Sequence, residues 1–171
     1  MIINFRQISS SEAPVEFHQT LDVGHVVQGR KDITGISPLQ AELQAEPAGG
    51  GVVRVTGRLS TELDMSCSRC LKPLKRRVDV RFEEAFKQSD EDNAELDEGE
   101  EDLVLVSVER LDLTPYLEEA LLLELPFSAV CKDTCKGLCP SCGSDLNERQ
   151  CDCNTERIDP RLAALGDFFK K

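Results

Sequence analysis

VRVTGRLSTELDMSCSRCLKPLKRRVDVRFEEAF, residues 53–86, decides the fold. Before the cysteines, Val53, Val55, Gly57, Leu59, Thr61, Leu63 and Met65 take every second position, with polar or charged residues between them. A period of two puts those side chains on one face of an extended strand. After the cysteines, Leu74 to Phe86 alternates in the same way through Val78, Val80 and Phe82. Two long alternating strands joined by SCSRCLKP predict an antiparallel hairpin whose turn carries Cys67 and Cys70.

Working outward toward the N-terminus, Pro47-Ala48-Gly49-Gly50-Gly51 marks a turn before the hairpin. Residues 39–46 fit strand or helix on pattern alone, residues 1–8 (MIINFRQI) read as a short strand, and Phe17, Gln19, Leu21 and Val23 alternate in a weaker one. Toward the C-terminus, residues 103–108 (LVLVSV) resume a strand pattern. Thr114-Pro115 gives a helix start, with Thr as N-cap, Pro at the first helical position, and Glu118 and Glu119 complementing the positive helix end. Leu117, Ala120, Leu121 and Leu125 form its buried stripe, and Pro126 stops it. A short last helix after Asp159-Pro160 carries Leu162, Leu165 and Phe169. The expected class is α+β: an antiparallel sheet with a long hairpin, one main helix and a C-terminal zinc-knuckle module. Residues 1–126 make the sheet domain and 127–171 the cysteine-rich module with its short helix.

The chain has 171 residues, enough to bury a core, and a formal charge of −12. That charge is segregated. Residues 90–102 (DEDNAELDEGEED) carry nine acids and no base, and so predict a solvated loop over 89–102. Residues 69–81 hold Arg69, Lys72, Lys75, Arg76, Arg77 and Arg81 against Asp79 alone. The first five sit in and just after the hairpin turn, and are the candidate RNA contacts. Pairing with the acidic loop would mask them until a stronger anion displaces it. Equally, they read as a solvated strand end. No apolar stretch approaches the roughly 18 residues a bilayer span needs, and MIINFRQISS lacks the pattern of a signal peptide. The expectation is a soluble, cytoplasmic protein.

In a reducing compartment, closely spaced cysteines favour metal over disulfides. The eight fall into four dyads: Cys67/Cys70, Cys131/Cys135, Cys139/Cys142 and Cys151/Cys153. Zinc takes a tetrahedron of thiolates at about 2.3 Å, and C-x2–4-C turns present two at once. Cys139-Pro140-Ser141-Cys142-Gly143 has the form of a knuckle, with Gly143 free to take the positive φ the turn needs. Eight thiols match two four-thiolate sites, hence two zinc ions. Of the three ways to join four dyads, Cys139, Cys142, Cys151 and Cys153 make a local site with the shortest loop closure. Cys67, Cys70, Cys131 and Cys135 then tie the hairpin turn to the end of the helix. Each structural zinc contributes on the order of 10–16 kcal/mol, which rivals the roughly 5–15 kcal/mol net stability of a domain. Four thiolates also suit an iron–sulfur cluster, and a C-x-x-C can be a redox dithiol, though neither dyad opens a helix after a parallel strand. His18 and His25 lie far from the cysteines in sequence and read as surface residues of a sheet. Gly24-x4-Gly29 lacks the Gly-Lys-Ser/Thr of a phosphate loop, and no catalytic motif stands out, so no enzyme activity is expected.

C-S-R-C-L at 67–71 followed by a basic strand, an acidic gap, L-P-F at 125–127, C-K-G-L-C-P-S-C-G at 135–143, D-L-N at 145–147, C-D-C at 151–153 and D-P-R-L-A-A-L at 159–165 together resemble the YceD family. The likeness covers roughly residues 40–165. It implies a bacterial or plastid protein needed for accumulation of large-subunit (23S) ribosomal RNA, with no known catalytic activity. In bacteria such genes commonly lie beside one for a large-subunit ribosomal protein, which implies a ribosome-biogenesis factor. Its partner would be ribosomal RNA, a pre-ribosomal particle or a large-subunit ribosomal protein. The alternative is an acidic chaperone that shields a basic ribosomal protein without touching RNA.

Overall fold

The computed structural model describes residues 1–11, 13–88 and 103–153. The acidic loop and the expected last helix lie outside them. The long hairpin forms as expected, from β5 (Val52–Ser66) and β6 (Pro73–Gln88), in continuous antiparallel register from Val52↔Lys87 to Ser66↔Pro73. β4 (Leu39–Gly49) is a strand. It alternates Leu39, Ala41, Leu43 and Ala45 inward and pairs along the other side of β5. β2 (Val15–Leu21) continues the sheet beyond β4, and β3 (Ile33–Ile36) pairs with the hairpin end of β5.

The sheet is mixed rather than purely antiparallel. β7 (Leu103–Val106) lies parallel to β6, starting at Ala85↔Leu103. A parallel return needs a crossover of about a dozen residues or more, and segment 89–102 provides that length. β1 (Ile2–Asn4) and β8 (Arg110–Asp112) form a separate two-stranded ribbon.

The N-terminal eight residues are not one strand. Asn4 ends β1 and its side-chain oxygen accepts from Gln7 N at 3.2 Å, starting a five-residue helix α1 (Phe5–Ser9). Phe5 and Ile8, three apart, then share a buried face. The main helix α2 spans Thr114–Glu124 with Pro115 in its first turn. Thr114 does not cap it by side chain. Its hydroxyl donates to Asp112 Oδ1 at 2.7 Å and accepts from the N-terminal ammonium at 2.7 Å. Glu118 and Glu119 fall beyond the first turn, so the helix dipole does not explain them. Glu118 instead meets His25 Nε2 at 3.1 Å. Leu117, Leu121 and Leu125 are buried and Ala120 is half-buried.

One core joins these parts. Val53, Val55, Leu59 and Leu63 of β5 and Val78, Val80, Phe82 and Phe86 of β6 face Ile3, Phe5, Ile8, Leu113, Leu117 and Leu121. α1 packs on β4 and β5, and α2 on β6, where Tyr116 meets Phe86 edge to face at 5.0 Å. The helices therefore cover one face of the sheet and direct the chain after Pro126 toward the hairpin turn.

Candidate metal centres

The hairpin turn is built so that Cys67 and Cys70 converge. Cys67 N donates to Lys72 O at 2.8 Å, and Leu71 N donates back to Cys67 O at 2.9 Å. The turn at Cys139 and Cys142 repeats this pair of bonds: Cys139 N to Ser144 O at 2.8 Å and Gly143 N to Cys139 O at 2.8 Å. In both turns the residue after the second cysteine is left-handed, at φ 60° for Leu71 and 73° for Gly143. Two stretches far apart in sequence thus form the same knuckle.

The chain leaving α2 reaches the first knuckle through Ser68 N to Ala129 O at 2.8 Å and Cys131 N to Cys67 Sγ at 3.4 Å. The eight thiols separate into two groups, Cys67/Cys70/Cys131/Cys135 and Cys139/Cys142/Cys151/Cys153, with all sulfurs of a group within 4.8 Å of one another. In the first, Cys67 Sγ stands 3.9 Å from Cys135 Sγ, and Cys70 Sγ 3.7 Å from Cys131 Sγ. Disulfide sulfurs would be about 2.05 Å apart. A tetrahedron with bonds of about 2.3 Å has edges of about 3.8 Å, so the first group has the dimensions of a four-thiolate site for a single ion.

The electrostatics of the thiols point the same way. Burial opposes charge at Cys67, but backbone N–H groups of Cys70, Cys131 and Arg69 outweigh it and bring the thiol down to about 6. Cys131 is exposed as a residue, yet desolvation of its sulfur and the thiols of Cys135, Cys70 and Cys67 push it up to about 12. The second group repeats the pattern. The Ser144 hydroxyl and backbone bring Cys142 to about 6, while Cys142 itself pushes Cys153 up to about 12. One thiolate in each group raises the cost of the next, and a divalent cation among them removes that cost because coordination deprotonates thiols.

The two centres are bolted together. Leu138 N donates to Arg69 O at 3.0 Å, and Gly137 sits so close that a Cβ there would stand 2.9 Å from that same oxygen. Asn147 Oδ1 accepts from Lys136 N at 2.9 Å, while its amide donates to Cys135 Sγ at 3.5 Å. Such N–H···S donors orient and tune thiolate ligands. Asp145 and Asn147 were visible in the sequence only as part of D-L-N at 145–147.

The five candidate RNA contacts divide. Arg69 Nη1 donates to the carbonyls of Asp133 at 3.1 Å and Cys135 at 2.9 Å. Lys72 Nζ lies 2.8 Å from Asp145 Oδ2 and 2.6 Å from Glu148 Oε1, which lowers Asp145 to about 2. Both hold the centres together. Lys75 meets Glu62 at 2.6 Å and Arg77 meets Asp79 at 2.9 Å, both on the exposed surface. Arg76 is exposed and makes no ion pair among the described residues. Acids close by therefore balance much of this segment. His18 lies exposed on β2, and His25 lies in a 3-10 turn rather than in a sheet.

The family model for Large ribosomal RNA subunit accumulation protein YceD matches residues 55–169, a span that contains all eight cysteines. The chain belongs to the YceD family. An uncharacterised YceD relative of Mycobacterium tuberculosis is 39% identical over 131 residues, 77% of this chain and 62% of the relative. The uncharacterised protein YlbN of Bacillus subtilis is 28% identical over 157 residues, 91% of this chain and 88% of that protein. The chloroplastic YCED homolog 1 of Arabidopsis thaliana, named a large ribosomal RNA subunit accumulation protein, is 36% identical over 61 residues, 36% of this chain and 19% of the homologue. The chain spans less than two thirds of the length of its mycobacterial relatives. No solved structure matches. Among the described residues no helix is long and apolar enough to cross a membrane.

Proposed function

We propose that this YceD protein is a non-catalytic ribosome-biogenesis factor of the bacterial cytoplasm, needed for accumulation of large-subunit ribosomal RNA, which it contacts directly. The carrying observation is the family match over residues 55–169, joined to the name its plant relatives bear. Zinc at both centres is part of the proposal. All four sulfurs of each group within 4.8 Å leave room for one ion and not for a cluster with bridging sulfides. Four thiolates also close the coordination shell, which is the arrangement of a structural rather than a catalytic site. The RNA-facing residues are Lys75, Arg76 and Arg77, the exposed cations beyond the metal-pinned turn. Arg69 and Lys72 support that turn from behind. Exposed pairs such as Lys75 with Glu62 are worth about 0–1 kcal/mol, so a phosphate can displace the carboxylate.

One observation favours a second reading, the acidic chaperone of a basic ribosomal protein. The described cations of the turn are largely neutralised by Asp145, Glu148, Glu62 and Asp79. Affinity purification at low and high salt separates the two. RNA held through phosphates should be lost steeply as salt rises. A ribosomal protein retained at high salt without RNA would favour the chaperone.

A further inference from the structure

We infer that the open face of the sheet carries a binding groove for the phosphate–sugar backbone of single-stranded RNA, centred on Arg58 and Arg81. This rests on the reading that the protein contacts RNA, and places the contact on a surface away from the cysteine turns. The helices cover the inner face of the sheet, and among the described residues no helix packs on its outer face. Register aligns a row of exposed side chains across four strands: His18 on β2, Glu42 on β4, Arg58 on β5 and Arg81 on β6.

Arg58 and Arg81 are direct cross-strand partners. Directly opposed like charges are destabilising. Glu42 stands across from Arg58 on β4 and Glu16 lies on the same face. Among the described residues neither makes an ion pair with either arginine. Arg58 makes no ion pair among the described residues, and Arg81 only a 3.7 Å contact with Glu83 at the surface. Opposed Cβ atoms stand about 4.5–5.5 Å apart, so both guanidinium forks reach the oxygens of one phosphate.

The row lies in a concavity of about 540 Å³. Gly57 lies in its floor, at a position where a Cβ would stand 2.1 Å from Glu42 O and 2.8 Å from Leu43 Cα. Only glycine lets β4 and β5 approach so closely at this point. Thr56, Gln44 and Glu42 also line the concavity and offer neutral and anionic acceptors for a 2′-hydroxyl. A second depression of about 350 Å³, lined by Gln40, Ser60 and Arg77, lies further along the same face. From Arg81, Arg77 is four residues along β6, about 14 Å at the strand rise, and Lys75 follows two residues on. Asp79, paired with Arg77 at 2.9 Å, stands between Arg81 and Arg77. The cations therefore form two groups spaced along one strand from the groove to the metal-pinned turn, which suits a polymer rather than a free nucleotide.

The test is fluorescence anisotropy with labelled oligouridine RNA, its deoxy counterpart, and four proteins: the native chain, R58Q/R81Q, R58K/R81K and a control R6Q/R110Q of equal charge change. We expect R58Q/R81Q to bind RNA at least tenfold more weakly, with a salt slope shallower by roughly 0.7 for each phosphate it no longer neutralises. R58K/R81K should fall between, because it keeps the charge and loses the fork. The control should bind like the native chain, and the deoxy strand more weakly than RNA. Removing two opposed cations should leave the melting temperature unchanged or raised, so weakened binding is separable from unfolding. Native-like binding by R58Q/R81Q, equal weakening in the control, or equal binding of the deoxy strand overturns the groove while RNA contact stands. Failure of the native chain to bind RNA at all overturns the parent reading as well.

Discussion

Leu71 and Gly143 hold the same place in the two knuckles, one residue after the second cysteine, and both take left-handed backbone. A side chain there costs roughly 1–2 kcal/mol for an L-residue. Leu71 is 65% exposed, so its side chain recovers little by burial. Leu71→Gly is therefore expected to stabilise the hairpin turn by about 1 kcal/mol, read as a higher urea midpoint. At Gly143 a Cβ meets nothing within 4 Å, so Gly143→Ala should cost only the backbone term, again about 1 kcal/mol. Gly137→Ala should cost clearly more, because its Cβ would also press on Arg69 O. Equal effects at Gly137 and Gly143 would show that the close approach between the centres does not matter. At this scale the sequence was partly legible. The cysteine dyads and the turn role of Gly143 follow from spacing and residue type. The bond from Asn147 to Cys135 and the ion pairs of Lys72 do not, because they join residues that no local pattern relates.

At the scale of elements, strands with a strict period of two were legible, and β4, ambiguous by pattern, became a strand because β5 offers it a long partner. What escaped were features set by distant parts of the chain. The parallel pairing of β7 joins strands with no local pattern relating them, and the start of α2 meets Met1. There Asp112 Oδ1 accepts from the N-terminal ammonium at 2.9 Å and from Thr114 N at 3.0 Å. The ammonium first, then Thr114, hold this carboxyl at about 2 against an ordinary 3.8. Its folded value is depressed, so the stability it adds is present above the ordinary value and is lost as pH falls toward about 2. Between about pH 5 and about pH 2.5, the native chain should therefore lose its stability advantage over Asp112→Asn. Acid also protonates the cysteine sites, but it does so equally in both proteins, so the difference isolates Asp112. A constant difference across that range would contradict the ion pair.

For the whole molecule, the first centre closes a long loop, from Cys67 to Cys135, and fixes the tip of the hairpin against the segment after α2. The second closes only Cys139 to Cys153 and props the first through Leu138, Asn147 and Lys72. Chelation is therefore expected to release order in residues 127–153 and at the hairpin tip first. The sheet core around Leu59, Leu63 and Phe86 should persist longer. Hydrogen exchange with and without chelator measures this, and uniform protection in both states would contradict metal-held structure. Elemental analysis should give two zinc ions per chain; iron in their place would redirect the assignment.

The central claim is that this YceD protein grips large-subunit ribosomal RNA itself. Ultraviolet crosslinking in growing cells, with the bound RNA sequenced, tests it most directly when the native chain is compared with a K75E/R76E/R77E variant of unchanged metal content. Enrichment of precursor large-subunit ribosomal RNA by the native chain, abolished in the variant, is the expected result. Equal recovery by both proteins would move the contact away from Lys75, Arg76 and Arg77. Absence of that RNA from the native crosslinks, or crosslinks confined to a ribosomal protein, would contradict the claim.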